Sequence, residues 1–228
     1  QPEVALLESL DLAIHQGQKV ALLGQSNCGK TTLLQLMIGV LSVESGEVLI
    51  DANPISTIDL VHYRMQIGFF SQDDKLFNGS LKDNITLGEP YSDAEILHAL
   101  DLAQCQEILE KLPMKLSSIV SENVSTFSDG EQKRLLLARC LVKKPKILFL
   151  DEVLNGLDPQ TSEKLMNNLL QLETTIIFAS HDFEGLAKLD HIYYLQDGRI
   201  AEHGNYQQLM AQKGIVYQNV MDSSHDKQ

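Results

Sequence analysis

Cysteine is scarce in this 228-residue chain, tryptophan is absent, and no apolar run reaches the ~18 residues that a membrane-spanning helix requires. The cysteines, Cys28, Cys105 and Cys140, are odd in number and widely spaced. That leaves no disulfide framework and no zinc pattern, and it points to a reducing cytosol. Positive charge is also short: 18 Lys and Arg against 31 Asp and Glu leave a net charge of −13. A nucleic-acid role, which needs a basic face, is not expected. The opening Gln1-Pro2-Glu3 has no initiator methionine and no basic start or apolar stretch, so no signal peptide is expected, and a segment of a longer polypeptide is. Aromatics make up only 6%, yet 43% hydrophobic residues suffice for the core of one large domain.

What is present alternates apolar strand-like runs with helical stretches, the pattern of an α/β domain with a largely parallel sheet. Strands are expected at Lys19–Leu23, Gly46–Asp51, Gln66–Ser71, Ile147–Leu150, Thr174–Ala179 and Ile192–Leu195. A glycine-rich turn after the first leads into a helix from Lys30 to Ile38. Residues 76–116 read as mostly helical, with a capping box at Ser92-Asp93-Ala94-Glu95. A further helix spans Gly130 to Lys143, and Asp158-Pro159 supplies an N-cap followed by proline at the first helical position. The polar end Ser223–Gln228 is expected to fray.

Two segments carry phosphate chemistry. Gly24-Gln25-Ser26-Asn27-Cys28-Gly29-Lys30-Thr31 has the P-loop spacing and lies between a strand and a helix, as that motif needs. Glycines let the backbone wrap phosphates, with amides directed at the helix N-terminus. Lys30 supplies a point charge, and Thr31, followed by Thr32, a hydroxyl suited to Mg²⁺. Downstream, Ile147-Leu148-Phe149-Leu150 delivers Asp151 and Glu152 at a strand end, a Walker B arrangement. Asp151 is expected to hold Mg²⁺ through water and Glu152 to act as general base. Alone, an Asp-Glu pair after a strand is more often a helix-start charge pair; the P-loop gives it weight.

Further segments in the same order resemble the nucleotide-binding domain of ATP-binding cassette (ABC) transporters. Gln72 matches the Q-loop glutamine, and Phe127-Ser128-Asp129-Gly130-Glu131 takes the place of the Leu-Ser-Gly-Gly-Gln signature. Asn155-Gly156-Leu157-Asp158 matches the D-loop, and His181 the switch histidine. Leu76-Phe77-Asn78-Gly79-Ser80-Leu81-Lys82-Asp83-Asn84-Ile85 is similar to a run of the exporter type, as is Val120-Ser121-Glu122-Asn123, with a serine where exporters carry glycine. The resemblance implies a P-loop NTPase fold over residues 1–228, with a RecA-like core, a small antiparallel β lobe from the N-terminal strands and a helical signature subdomain near 76–140. It implies ATP hydrolysis with Mg²⁺, held by Thr31, Gln72 and Asp151, and His181 on the γ-phosphate. It also implies a second nucleotide-binding domain, a transmembrane domain upstream in the same polypeptide, and a place on the cytoplasmic face of a membrane. The adenine-stacking aromatic is expected upstream of Gln1. A narrower likeness, in Cys28-Gly29-Lys30, Thr32-Leu33-Leu34-Gln35-Leu36 and Gly185-Leu186, is to heterodimeric bacterial exporters of cysteine and glutathione.

The signature departs from the family pattern. It should present neutral backbone donors to a γ-phosphate bound by the partner domain, and here Asp129 replaces a glycine and Glu131 the glutamine. An impaired signature beside an intact P-loop implies a heterodimer with one degenerate site. The plainer alternative is a capping box, Ser128 with Glu131, and Asp129 complementing the helix dipole. Other classes to weigh are a soluble ABC ATPase and a regulatory domain that binds without turnover. Cys28 is read as a small filler, His15, His62, His98, His191 and His203 as surface or satisfied polar groups, and no function is expected of Arg134, Arg139, Lys143 and Lys144.

Overall fold

Lys-Val-Ala-Leu-Leu between two glycines forms a strand buried at every position, β1 (Lys19–Leu23). Even its lysine is enclosed, with Nζ donating to the carbonyls of Gly17, Leu172 and Thr174 at 2.9, 2.7 and 2.8 Å. The computed structural model describes residues 6–120, 127–182 and 185–225. After β1 come α1 (Lys30–Met37), a hairpin of β2 (Leu49–Ile50) and β3 (Asn53–Pro54), α2 (Leu60–Met65) and β4 (Ile67–Phe70). Then β5 (Gly79–Ser80), α3 (Leu81–Thr86), α4 (Asp93–Leu102), α5 (Gln106–Lys111) and β6 (Ile119–Val120) lead to α6 (Asp129–Leu141). The chain closes through β7 (Ile147–Asp151), α7 (Pro159–Leu170), β8 (Thr175–Ser180), β9 (His191–Gln196), β10 (Arg199–Gly204), α8 (Tyr206–Gln212) and α9 (Ile215–His225).

The main sheet runs β10-β9-β1-β8-β7-β4, parallel except for the antiparallel edge strand β10. Alternating side chains feed two cores: Ala21 and Leu23 on one face, Val20 and Leu22 on the other. The register sets Leu23 beside Ser180 and Asp151 beside Ala179. The loops after β1, β7 and β8 therefore leave the sheet together, at the carboxyl ends where such sheets bind ligands.

Several expectations change. The N-terminal residues form no strand among the described residues. Leu10, Leu12 and Ile14 do pack on the second core at every other position. However, the Ala13 backbone bonds to the Tyr193 hydroxyl, which accepts from its N–H at 3.2 Å and donates to its C=O at 2.7 Å. A side chain thus takes the place of a ladder, and the separate antiparallel hairpin on this side is β2–β3. The strand expected over Gly46–Asp51 shrinks to Leu49–Ile50, because Asp51 and Ala52 both turn to positive φ, 49° and 64°. Strand β10 and helix α8 were not anticipated. Ser223, read as frayed, lies in α9 and donates to the Asn219 carbonyl at 2.8 Å; residues 226–228 lie outside the described residues, as do Ser121, Glu122 and Asn123.

Arg139, given no role from sequence, ties α6 to the segment after Gln72. Its guanidinium donates to the carbonyls of Asn84 at 2.8 Å and Lys75 at 3.2 Å and lies 5.6 Å from the Phe77 ring centroid. The buried Asn84 amide in turn accepts from Phe77 N–H at 2.9 Å and donates to the Phe77 carbonyl at 2.8 Å. The Leu76–Ile85 run is thus spelled by local hydrogen bonding: Asn84 closes the loop, and Ser80 with Asp83 caps α3.

Candidate functional site: a P-loop beside two strand-end carboxylates

Gly24 and Gly29 bracket the loop for steric reasons. A Cβ on Gly24 would come within 2.4 Å of the Leu195 carbonyl and 2.5 Å of Cys28 Sγ. Gly29 caps α1 at φ 104°, a conformation that L side chains avoid. Cys28 is half-buried against Gly24, consistent with a filler. The Lys30 side chain is buried and curls back on the loop, its Nζ donating to Gly24 O at 2.7 Å and Gln25 O at 3.0 Å.

The two carboxylates reach the loop from β7. Thr31 Oγ1 donates to Asp151 Oδ2 at 2.6 Å. Glu152 sits just past the strand with φ 57°, a left-handed conformation that is rare and costly without glycine. Its carboxylate is nearly buried. Oε1 lies 2.9 Å from His181 Nδ1 and 3.9 Å from Lys30 Nζ, and Oε2 has no hydrogen-bond partner among the described residues. Loops after three different strands thus converge on one acidic group. The His181 side chain is half-exposed and meets Glu152 rather than standing alone, a link that sequence reading missed.

Burial, helped by the Glu152 charge, raises the Asp151 carboxyl above its ordinary 3.8, although the Thr31 hydrogen bond pulls the other way. A carboxyl raised on folding adds stability below its unfolded pKa and loses it as pH rises through the folded one. Asp151→Asn is therefore expected to raise the nucleotide-free melting temperature at neutral pH, read by calorimetry. A lower melting temperature would show the charge to be compensated.

At the signature, Ser128 and Glu131 form the capping box: the Ser128 hydroxyl accepts from Glu131 N–H at 3.3 Å, and Glu131 Oε2 from Ser128 N–H at 2.9 Å. Chiefly that backbone hydrogen bond holds the Glu131 carboxyl below its ordinary range. Lys111 lies 3.2 Å from its other oxygen. Glu131 is therefore occupied, whereas Asp129 is exposed. Gly130 packs on the D-loop, where a Cβ would meet Leu157 at 3.1 Å. Asp158 is spent capping α7, accepting from Thr161 N–H at 3.0 Å. Lys133, one turn along α6, donates to the Asn155 carbonyl at 2.6 Å and joins the signature helix to the loop after Glu152. Gln72 lies exposed in the turn after β4, and no hydrogen bond joins it to Thr31 or Asp151 among the described residues.

The ABC transporter family model matches residues 7–155 of this chain, from the N-terminal segment through the P-loop, signature and Walker B strand. The chain belongs to the ABC transporter family. It is a nucleotide-binding domain of the exporter type, and the fold has the P-loop NTPase core of that family. It is 34% identical over 219 residues to the mitochondrial iron-sulfur clusters transporter atm1 of Aspergillus fumigatus, covering 94% of this chain and 30% of that protein. It is 33% identical over 231 residues to ATP-binding cassette sub-family B member 5 of Homo sapiens, covering 100% of this chain and 18% of that one. A solved structure, of a bacterial Atm1-family ABC exporter with ATP bound, superposes with a TM-score of 0.91 at 29% identity, over 98% of this chain and 40% of that chain. The chain thus spans less than half the length of these ABC relatives. No helix among the described residues is long and apolar enough to cross a membrane.

Proposed function

We propose that this chain binds MgATP in the P-loop and hydrolyses it, as the cytoplasmic nucleotide-binding half of a membrane exporter, when a second such domain closes over the nucleotide. The observation that carries the reading is the Glu152 carboxylate, fixed on one oxygen by His181 at 2.9 Å and buried with no partner on the other among the described residues. A buried acceptor left open beside a P-loop is placed to orient a water and take its proton.

The oxygen donors fit a hard divalent cation: the Thr31 hydroxyl, on the exposed side, and the buried Asp151 carboxylate lie 2.6 Å apart. Thr31 would ligate Mg²⁺ directly, Asp151 through water, with Gln72 swinging in from its exposed turn. Bound there, the ion would neutralise charge on the β- and γ-phosphates. Lys30, now on the loop's own carbonyls, would exchange those bonds for phosphate oxygens, and the loop amides would hold the rest. Glu152 would accept the proton of the attacking water, and His181, kept in place by Glu152, would hold the γ-phosphate.

Motion would pass to a membrane domain through the segment that Arg139 pins to the signature helix. Exposed apolar side chains at Phe77, Met114 and Ile119 around the β5–β6 ladder support a contact there. The exposed Asp129 favours a heterodimer whose other chain supplies the working signature. The likeness to cysteine and glutathione exporters makes those thiols the first substrates to try. Titration with a labelled ATP analogue tests the binding step: saturable binding that requires Mg²⁺ and is lost in Lys30→Ala is expected. Binding indifferent to both would overturn the site assignment.

A further inference from the structure

Helix α9 shares a cavity with the P-loop. This cavity, of about 250 Å³, is lined by Gly24, Gln25 and Ser26 of the P-loop, by His181, and by Tyr194 and Asn219. Tyr194 belongs to β9, is almost fully buried, and stands in register with Leu23, the residue before the P-loop. Asn219 lies one turn into α9, and its side chain is hydrogen-bonded to that of Tyr194. Its amide also donates to the Ile215 carbonyl at 2.9 Å, which fixes the side chain along its own helix.

What seats α9 there is on the edge strand. Glu202, opposite Tyr194 in the β9–β10 ladder, accepts from the first backbone amides of α9: Ile215 N–H, and Val216 N–H at 3.0 Å. A carboxylate on those unpaired amides caps the helix and complements its dipole. Gly214 lets it approach, since a Cβ there would lie 2.0 Å from Glu202 Oε1. Val216, fully buried, locks the same turn into the core. From Glu202 through the α9 start to Asn219 and Tyr194 the contacts are continuous, and they end at the cavity whose lining these two residues share with the first turn of the P-loop and His181.

We propose that α9 is a positioning element of the nucleotide site: Asn219, held on Tyr194 and seated by Glu202, fixes the Gly24–Ser26 turn, so nucleotide binding and α9 docking stabilise each other. The inference rests on the ATP-binding reading above. Such coupling is reciprocal: whatever loosens α9 weakens nucleotide binding, and nucleotide must in turn tighten α9.

Hydrogen exchange with and without a saturating magnesium complex of a nonhydrolysable ATP analogue tests this. Slower exchange is expected both at the P-loop amides and at the α9 amides from 215 to 222, which are hydrogen-bonded within their own helix and to Glu202 rather than to the loop. Asn219→Ala and Glu202→Ala should each raise the KM for ATP on the order of five-fold, the scale of a lost cap, with kcat unchanged. Asn219→Ala leaves the Glu202 cap intact and so serves if the other variant does not fold. Protection at the P-loop with α9 unchanged, or a wild-type KM in Asn219→Ala, overturns the inference while leaving ATP binding standing. Protection at neither place overturns both.

Discussion

Glu152→Gln is expected to lower ATP turnover by at least about 10²-fold while nucleotide binding survives. Glutamine keeps the size and the left-handed backbone of Glu152, so the P-loop and β7 should be undisturbed. It removes the charge that faces Lys30 at 3.9 Å and the basic oxygen that stands open in the buried site. Its amide can still bond to His181, so the histidine should stay in place. The result should be a nucleotide-bound species that no longer releases phosphate, seen in size-exclusion, with ATP and a second domain carrying an unaltered signature present, as an accumulating dimer. Unchanged turnover would favour a regulatory domain in which binding alone does the work. Loss of binding would mean that Glu152 serves the loop's structure rather than the chemistry.

The signature gives the second large effect, and here the two departures from the family pattern separate. A carboxylate about 4 Å from a phosphate oxygen costs roughly 1 kcal/mol in water-like surroundings and around 4 at an effective dielectric of 20. Asp129, exposed at the start of α6, would impose that penalty on a γ-phosphate held by a partner domain. Glu131 is not: its carboxylate is held by the Ser128 backbone and side chain and by Lys111. Asp129→Gly should therefore raise ATP turnover at the partner's P-loop about ten-fold or more, an effect that 1.4 kcal/mol already provides. Glu131→Gln should change it little, because glutamine serves equally in a capping box. Equal effects from both variants, or none from Asp129→Gly, would show that the aspartate merely complements the helix dipole.

Much of this site was legible in the sequence because its signals are local. The P-loop spacing, the apolar strand ending in Asp151-Glu152 and the Ser128 capping box each depend on residues within one turn or strand. The less legible parts depend on distant partners. Nothing near Arg139 announces that its guanidinium closes on Lys75 and Asn84, some sixty positions earlier. The bond from His181 to Glu152 depends on β7 and β8 being neighbours, which no spacing in the chain encodes. The N-terminal residues carry a strand's alternation, yet a tyrosine hydroxyl from β9 satisfies the Ala13 backbone, so pattern and ladder part company there. Strand β10 is hard to read from the sequence because, as a half-exposed edge strand, it mixes Arg199, Glu202 and His203 with its apolar positions.

If this chain pairs a complete P-loop side with an impaired signature side, its turnover depends on the signature of a partner domain. Phosphate release at saturating MgATP tests it most directly, measured for the protein alone and mixed with a second nucleotide-binding domain carrying an unaltered Leu-Ser-Gly-Gly-Gln signature. Slow, uncooperative release alone and fast, cooperative release in the mixture are expected, with the gain abolished by Lys30→Ala in this chain. Robust cooperative release from the protein alone would contradict it.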